Sequence, residues 1–262
     1  MRVLFVVLFS LLIPCFAKAD VTITGRVLDE QGQALQTSLK INGKKFKAND
    51  QGVFSATVSE KDIYQIRLGS KDHFPMIHSF SHYELATAKP ESFTIPDITL
   101  VKKIKGRTMM VFAGDMMMGR RYAKPHPGEP VLIRPDHKAQ DTKAILAPIK
   151  DYLEIADFAS VNLETQILDE KPAQRAPKSV TFYTPAEAID ALNWAGVDYV
   201  TLGNNHTYDY LDQGLDYTID ILNQKNMAHS GAGRTETEAL KSYIAKLADT
   251  KYALQGYVGW AG

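Results

Sequence analysis

Cysteine is nearly missing from this chain: Cys15 is the only one among 262 residues. It falls inside an N-terminal apolar stretch, so no disulfide framework is available and the fold must be held by its core. Neither sign of charge dominates, with 30 Lys and Arg against 30 Asp and Glu. That balance, together with the lack of any long basic run, argues against a nucleic-acid partner. Repeats and disordered composition are also missing, and the apolar and charged fractions are those of an ordinary globular protein. A chain of this length accommodates one large domain or two modest ones.

What is present begins at the N-terminus. Met1-Arg2, an apolar stretch over 3–16 and then Ala17-Lys18-Ala19 supply the charge, core and small-residue site of a secretory signal peptide spanning 1–19. An N-terminal membrane anchor is the alternative, and the stretch is short of the ~20 residues a spanning helix needs. Leu12-Ile13-Pro14-Cys15 is a poor lipidation site, because Pro14 stands where a small residue is normal. The expected location is therefore exported, periplasmic or associated with the cell surface.

From 20 to 101 the pattern is strand and turn, with alternation through Val21-Thr22-Ile23-Thr24-Gly25-Arg26-Val27 and turn residues at Asn42-Gly43 and Asn49-Asp50-Gln51-Gly52. Short strands at that spacing predict a small β-sandwich. His73, His78 and His82 are close in sequence, and the last two would share a face if helical, which leaves a metal site there as a minor alternative. The basic residues 102–107 read as a solvated linker.

Beyond the linker the rhythm becomes α/β, filling a second domain over 108–262. Strands are expected at 108–113, 158–163, 197–202, 226–228 and 252–258, and helices at 141–156, 212–224 and 235–247. Thr184-Pro185-Ala186-Glu187 has the form of a capping box that opens a further helix ending near Gly196. Such alternation predicts a mainly parallel sheet covered by helices.

Three of the strand ends carry chemistry. Gly114-Asp115-Met116-Met117-Met118-Gly119-Arg120, Val161-Asn162-Leu163-Glu164 and Gly203-Asn204-Asn205-His206-Thr207-Tyr208-Asp209 each follow an apolar run. Ligands of open α/β sheets bind at the carboxyl ends of strands, and two carboxylates, a carboxamide and an imidazole gathered there suit a divalent metal. Asp115 and Glu164 are candidate ligands, or else turn and cap residues. Gly203 is expected to permit a tight turn that aims Asn204, Asn205 and His206 at the crevice. Asp209 either orients His206 or begins the next helix. His229, before Ser230-Gly231-Ala232-Gly233, offers another nitrogen or an anion nest. Arg120 and Arg121 are placed to pair with a phosphate or a polymer carboxylate, or to hold Asp115 or Glu164. The three methionines read as packing, which disfavours copper.

Taken together, these segments resemble the CapA family of capsule and poly-γ-glutamate synthesis proteins over about 108–262. That family is similar in fold to calcineurin-like metallophosphoesterases, so the resemblance implies a layered α/β/β/α sandwich with a dinuclear metal site, preceded here by the β-sandwich. The first domain weakly resembles transthyretin-like, carboxypeptidase-regulatory-like modules. Carried over by motif, Asp115 and Asn205 match metal ligands and Glu164 stands where the phosphoesterases use a bridging Asp; with His229 added from its own strand-end position, the set would hold two divalent ions (Mn, Fe, Zn or Mg). His206 would protonate the leaving group with Asp209 behind it, and Arg120, Arg121 and Asn204 would meet substrate. Met117 stands where many phosphoesterases have a histidine. The fold's remaining histidine ligands are expected beyond Gly262, so the sandwich reads as incomplete and the sequence as an N-terminal fragment. The implied function is a metal-dependent hydrolase or transferase of cell-envelope polymer biosynthesis. Its implied partners are an anionic polymer or phosphorylated precursor and a capsule-synthesis membrane complex. The alternative is a non-catalytic factor that binds or guides an anionic capsule polymer.

Overall fold

The computed structural model describes residues 19–88 and 93–259, so the expected signal segment, Cys15 included, lies outside the described residues up to position 18. The chain divides into two compact units between Lys102 and Lys103. Among the described residues no helix is long and apolar enough to cross a membrane.

The first unit is built from β1 (Asp20–Asp29), β2 (Ser38–Ile41), β3 (Lys44–Lys47), β4 (Val53–Ser59), β5 (Ile63–Ser70), β6 (His73–Ser81), helix α1 (His82–Ala88), β7 (Phe93–Thr94) and β8 (Ile98–Leu100). One sheet joins β4 to β1, with β7 and β8 parallel to β1, and the other runs β3-β2-β5-β6. Strict alternation along β4 sends Phe54, Ala56 and Val58 inward, where they join Ile23 and Val27 of β1 and Leu39, Ile41, Ile66 and Leu68 of the second sheet in one apolar core. The three histidines do not share a helical face. His73 and His78 lie on β6 and His82 opens α1. Each also has its own partner: Ser70 Oγ for His73, Met76 Sδ for His78 and the Tyr64 hydroxyl for His82, all at 2.9 Å. Burial lowers the pKa of His78.

The second unit contains β9 (Met110–Met116), α2 (Lys138–Glu154), β10 (Phe158–Leu163), β11 (Gln166–Ile167), β12 (Tyr183–Thr184), α3 (Glu187–Trp194), β13 (Tyr199–Thr201), α4 (Leu211–Gln224), β14 (Ala228–Ser230), α5 (Glu236–Ala239), β15 (Tyr243–Leu247) and β16 (Thr250–Leu254). The mixed α/β class follows from a parallel sheet of order β14-β13-β10-β9, with α2, α3 and α4 as the crossovers. Side chains alternate across it. Ala159, Val161 and Val200 join Leu146 and Leu153 of α2, Ile189 and Leu192 of α3 and Leu222 of α4 on one face. Phe158 and Tyr199 pack on the other face against Ala245 and its neighbours in the β15–β16 hairpin. Each fully buried Leu or Ile contributes about 1.5–3 kcal/mol to this layering.

Four expectations need correcting. The helix expected at 235–247 is a single turn followed by a strand. Tyr243, Ala245 and Leu247 alternate toward the sheet and Ala248 turns with φ +49°, so 250–254 returns antiparallel rather than extending the parallel sheet. The capping box does not form, because Thr184 lies on β12 and its hydroxyl accepts from Met118 N–H at 3.2 Å and donates to Thr165 at 3.1 Å. The first strand is not buried: β9 is an edge strand, Phe112 is 63% exposed and Asp115 sits inside the strand rather than after it. Gly203 does not adopt a positive φ. Its missing side chain instead admits a neighbouring backbone, since a Cβ there would lie 2.4 Å from Gly256 C and Tyr257 N.

Candidate functional site

Parallel strands all end on one side of their sheet, and adjacency brings β9, β10 and β13 together. Asp115 faces Asn162 across the β9–β10 register. Asn162 Nδ2 donates to Asp115 Oδ1 at 2.6 Å, and Asn162 Oδ1 accepts from Asn204 Nδ2 at 3.0 Å. Asn204 also donates to the Leu163 carbonyl at 2.9 Å and accepts the His206 N–H at 2.9 Å. Its carboxamide is thus occupied within the chain and buried, and it braces the strand ends. Asn205 is exposed beside it, and its carbonyl accepts from Lys178 Nζ at 2.6 Å.

His206 is held from three sides. Its Nδ1 is 2.7 Å from Asp209 Oδ2, its ring stacks on Phe182 at 3.9 Å between centroids and 21° between planes, and its Nε2 is 3.9 Å from Glu164 Oε1. Asp209 is 0% exposed. A carboxylate in that position needs partners, and it has the His206 ring, the Phe182 N–H at 2.5 Å and the Lys178 ammonium. Asp209 therefore orients His206 and does not begin α4, which starts at Leu211. With Nδ1 on Asp209, Nε2 is the ring nitrogen that faces Glu164.

Glu164 is partly exposed, and among the described residues its carboxylate has no hydrogen-bond partner. Arg120 lies in a 3-10 turn with φ +46°, its guanidinium 5.3 Å over the Phe182 ring. Neither Arg120 nor the exposed Arg121 pairs with Asp115 or Glu164 among the described residues. His229 is elsewhere. It stands on β14, the opposite edge from β9, with Nδ1 3.1 Å from the Met227 carbonyl, and it lines a separate cavity with Arg234 and Glu238. Three strand spacings of about 4.8 Å separate β14 from β9, which keeps His229 out of the Asp115 cluster.

Among the described residues no three His, Cys, Asp or Glu side chains form a ready cluster for a metal. The donors at the strand ends are the two carboxylates of Asp115 and Glu164 and the Asn205 carboxamide. This hard-oxygen set, in which the Glu164 carboxylate has no hydrogen-bond donor among the described residues, fits a divalent ion of the Mg or Mn kind. Lys178 and Phe182 were not legible as site residues, because they sit in the irregular stretch 168–182 that carries no periodicity.

The fold and site so far define an α/β protein with a polar, histidine-centred cluster at the carboxyl ends of a parallel sheet. A family model, that of the bacterial capsule synthesis protein PGA_cap, matches residues 109–260, more than half of the chain, and the protein belongs to this CapA family. The capsule biosynthesis protein CapA of Bacillus anthracis is 31% identical over 126 residues, covering 47% of this chain and 28% of that protein. The PGA biosynthesis protein CapA of Bacillus subtilis (strain 168) is 26% identical over 130 residues, covering 50% of this chain and 31% of that protein. The matched region thus spans less than a third of either relative. Among solved structures, a 3-chlorocatechol 1,2-dioxygenase from Rhodococcus opacus 1CP aligns over 33% of this chain and 60% of its own, at 13% identity and a TM-score of 0.26, too low to inform the fold.

Proposed function

We propose that this protein acts outside the cytoplasm in the biosynthesis of a capsule or other anionic envelope polymer. In this reading its second unit is a metallophosphoesterase-like sandwich that hydrolyses or transfers a phosphorylated precursor. The observation that carries the chemistry is the buried Asp209 carboxylate 2.7 Å from His206 Nδ1, which leaves Nε2 facing the strand-end carboxylate Glu164. The relatives' names supply the polymer.

Asp115, Glu164 and Asn205 would hold one or two divalent ions. When bound, such an ion supplies positive charge that polarises a phosphoryl oxygen. The chain's own residues do the rest. An incoming oxygen, from water in hydrolysis or an acceptor hydroxyl in transfer, forms the new bond to phosphorus and gives up its proton to solvent. His206 delivers its Nε2 proton to the leaving oxygen as the old phosphorus–oxygen bond breaks, so the group departs as a neutral alcohol. Asp209 holds the ring in place through Nδ1, and Lys178 balances the Asp209 carboxylate. Phe182 fixes the ring plane and shields one of its faces from water. Arg120, whose guanidinium lies over Phe182, would receive the anionic part of the substrate.

The test is turnover of an aryl phosphodiester by the full chain with Mn(II). His206→Ala is expected to lower it by a factor of about 10² to 10⁴. Unchanged turnover would remove the acid role. No metal-dependent turnover in any form would favour the polymer-binding factor instead.

A further inference from the structure

Beside the His206 cluster lies a cavity of about 420 Å³ whose walls carry Arg120, Lys124, Lys138, Lys171 and Arg175 against a single carboxylate, Asp169. Asp169 already accepts the Tyr217 hydroxyl. Among the described residues none of the five cations is in an ion pair: Arg175 donates to Thr181 Oγ1 at 3.4 Å, and Arg120 rests over the Phe182 ring. Five like charges around one concavity repel each other and focus a positive potential into it. The rest of the wall includes Ile133, Leu168 and Tyr183, whose low polarizability strengthens that field.

We propose that this cavity is a binding site for an oligoanion carrying two or more phosphate or carboxylate groups on a short carbon frame. The volume falls within the range of about 300–1,000 Å³ typical of small-molecule sites, so it takes a few charged groups and not a long polymer. Two guanidiniums provide paired N–H donors suited to either oxyanion, and three ammoniums add point charge. The link to chemistry is the stretch 168–182. It places Lys171 and Arg175 on the cavity wall and Lys178 and Phe182 against Asp209 and His206. Tyr210, next to Asp209, lines the cavity too, and its hydroxyl is 3.3 Å from Thr181 Oγ1. The stretch thus joins the cavity wall to the residues around the acid. The purpose of the bound anion rests on the proposed function; its binding depends on the cavity residues alone.

Calorimetric titration of the full chain with pyrophosphate and, separately, with N-acetylated, C-amidated diglutamate tests this and tells the two oxyanion sources apart, with the matching diglutamine as the neutral control. Saturable binding of either oligoanion that weakens as salt rises supports the site. The double variant Lys171→Glu/Arg175→Glu is expected to bind at least about tenfold more weakly. Both residues are exposed, so its thermal midpoint should match wild type, and Lys171→Gln/Arg175→Gln gives the same test without reversed charge. Lys251→Glu, on the exposed hairpin, should leave affinity unchanged. Binding by the wild-type chain without any metal-dependent turnover would sink only the catalytic reading, because the cavity residues bind the anion on their own. Binding of neither oligoanion, equal binding by the double variant, or equal weakening by Lys251→Glu would overturn the proposal.

Discussion

Replacing Asp209 by Asn tests how the strand-end site is held. The carboxylate is 0% exposed and serves three donors: His206 Nδ1 at 2.7 Å, Phe182 N–H at 2.5 Å and the Lys178 ammonium. An Asn of the same shape removes the charge and turns one acceptor into a donor facing another donor. Removing one member of a buried ion pair costs about 3–5 kcal/mol. The lower end applies here, about 3 kcal/mol, because the Lys178 side chain is 17% exposed and keeps its 2.6 Å bond to the Asn205 carbonyl. For a chain of this size that is about 6–12 °C in thermal midpoint. Urea denaturation of Asp209→Asn, Lys178→Met and the double variant separates the pair from its surroundings. A coupling of at least about 1 kcal/mol is expected, with Lys178→Met less costly once Asp209 is neutral. A loss below about 0.5 kcal/mol in Asp209→Asn, the scale of an ordinary surface change, or strict additivity, would refute the account of a charge-balanced site.

Two further outcomes follow from packing and charge. Gly203→Ala should destabilise by about 1–3 kcal/mol in urea, since its Cβ meets the 256–257 backbone, whereas Gly114→Ala, with nothing within 4 Å, should be near neutral; equal effects would contradict the close-approach reading. The Arg134 guanidinium, and then the Arg134 backbone N–H, hold the Asp141 carboxyl down at about 2. A depressed folded-state pKa gives stability that is present above the unfolded value of about 3.9 and lost as pH falls toward 2. The stability difference between wild type and Arg134→Gln should therefore shrink from pH 5 to about pH 2, and a constant difference would rule this pairing out.

The parallel sheet and its crossovers were legible because apolar runs, helical spacing and turn residues agree over 138–230. The hairpin was not. Tyr243-Ile244-Ala245-Lys246-Leu247 fits a helix as well as a strand, and only packing against Phe158 and Tyr199 decides between them. Likewise Thr184 has the residue type of a cap, but β12 claims its hydroxyl. The placement of Asp115, Glu164, Asn205, His206 and Asp209 at or near strand ends was legible; their roles are the ones proposed above. Local sequence could not show that Asn204 would be occupied by Asn162 and Leu163, because those partners are about forty residues distant. His229 was misleading for a related reason: a strand end identifies a side of the sheet but not a position along it. Lys178, Phe182, Lys171 and Arg175 lie in a stretch without period, where only tertiary structure assigns roles.

The central proposal is that Asp115 and Glu164, at the ends of β9 and β10, would hold a divalent ion beside His206. Calorimetric titration of Mn(II) into the full chain addresses it most directly. The account predicts saturable binding that Asp115→Asn and Glu164→Gln each weaken at least about tenfold, with Lys251→Glu unchanged. Equal Mn(II) binding by wild type and both carboxylate variants would contradict it.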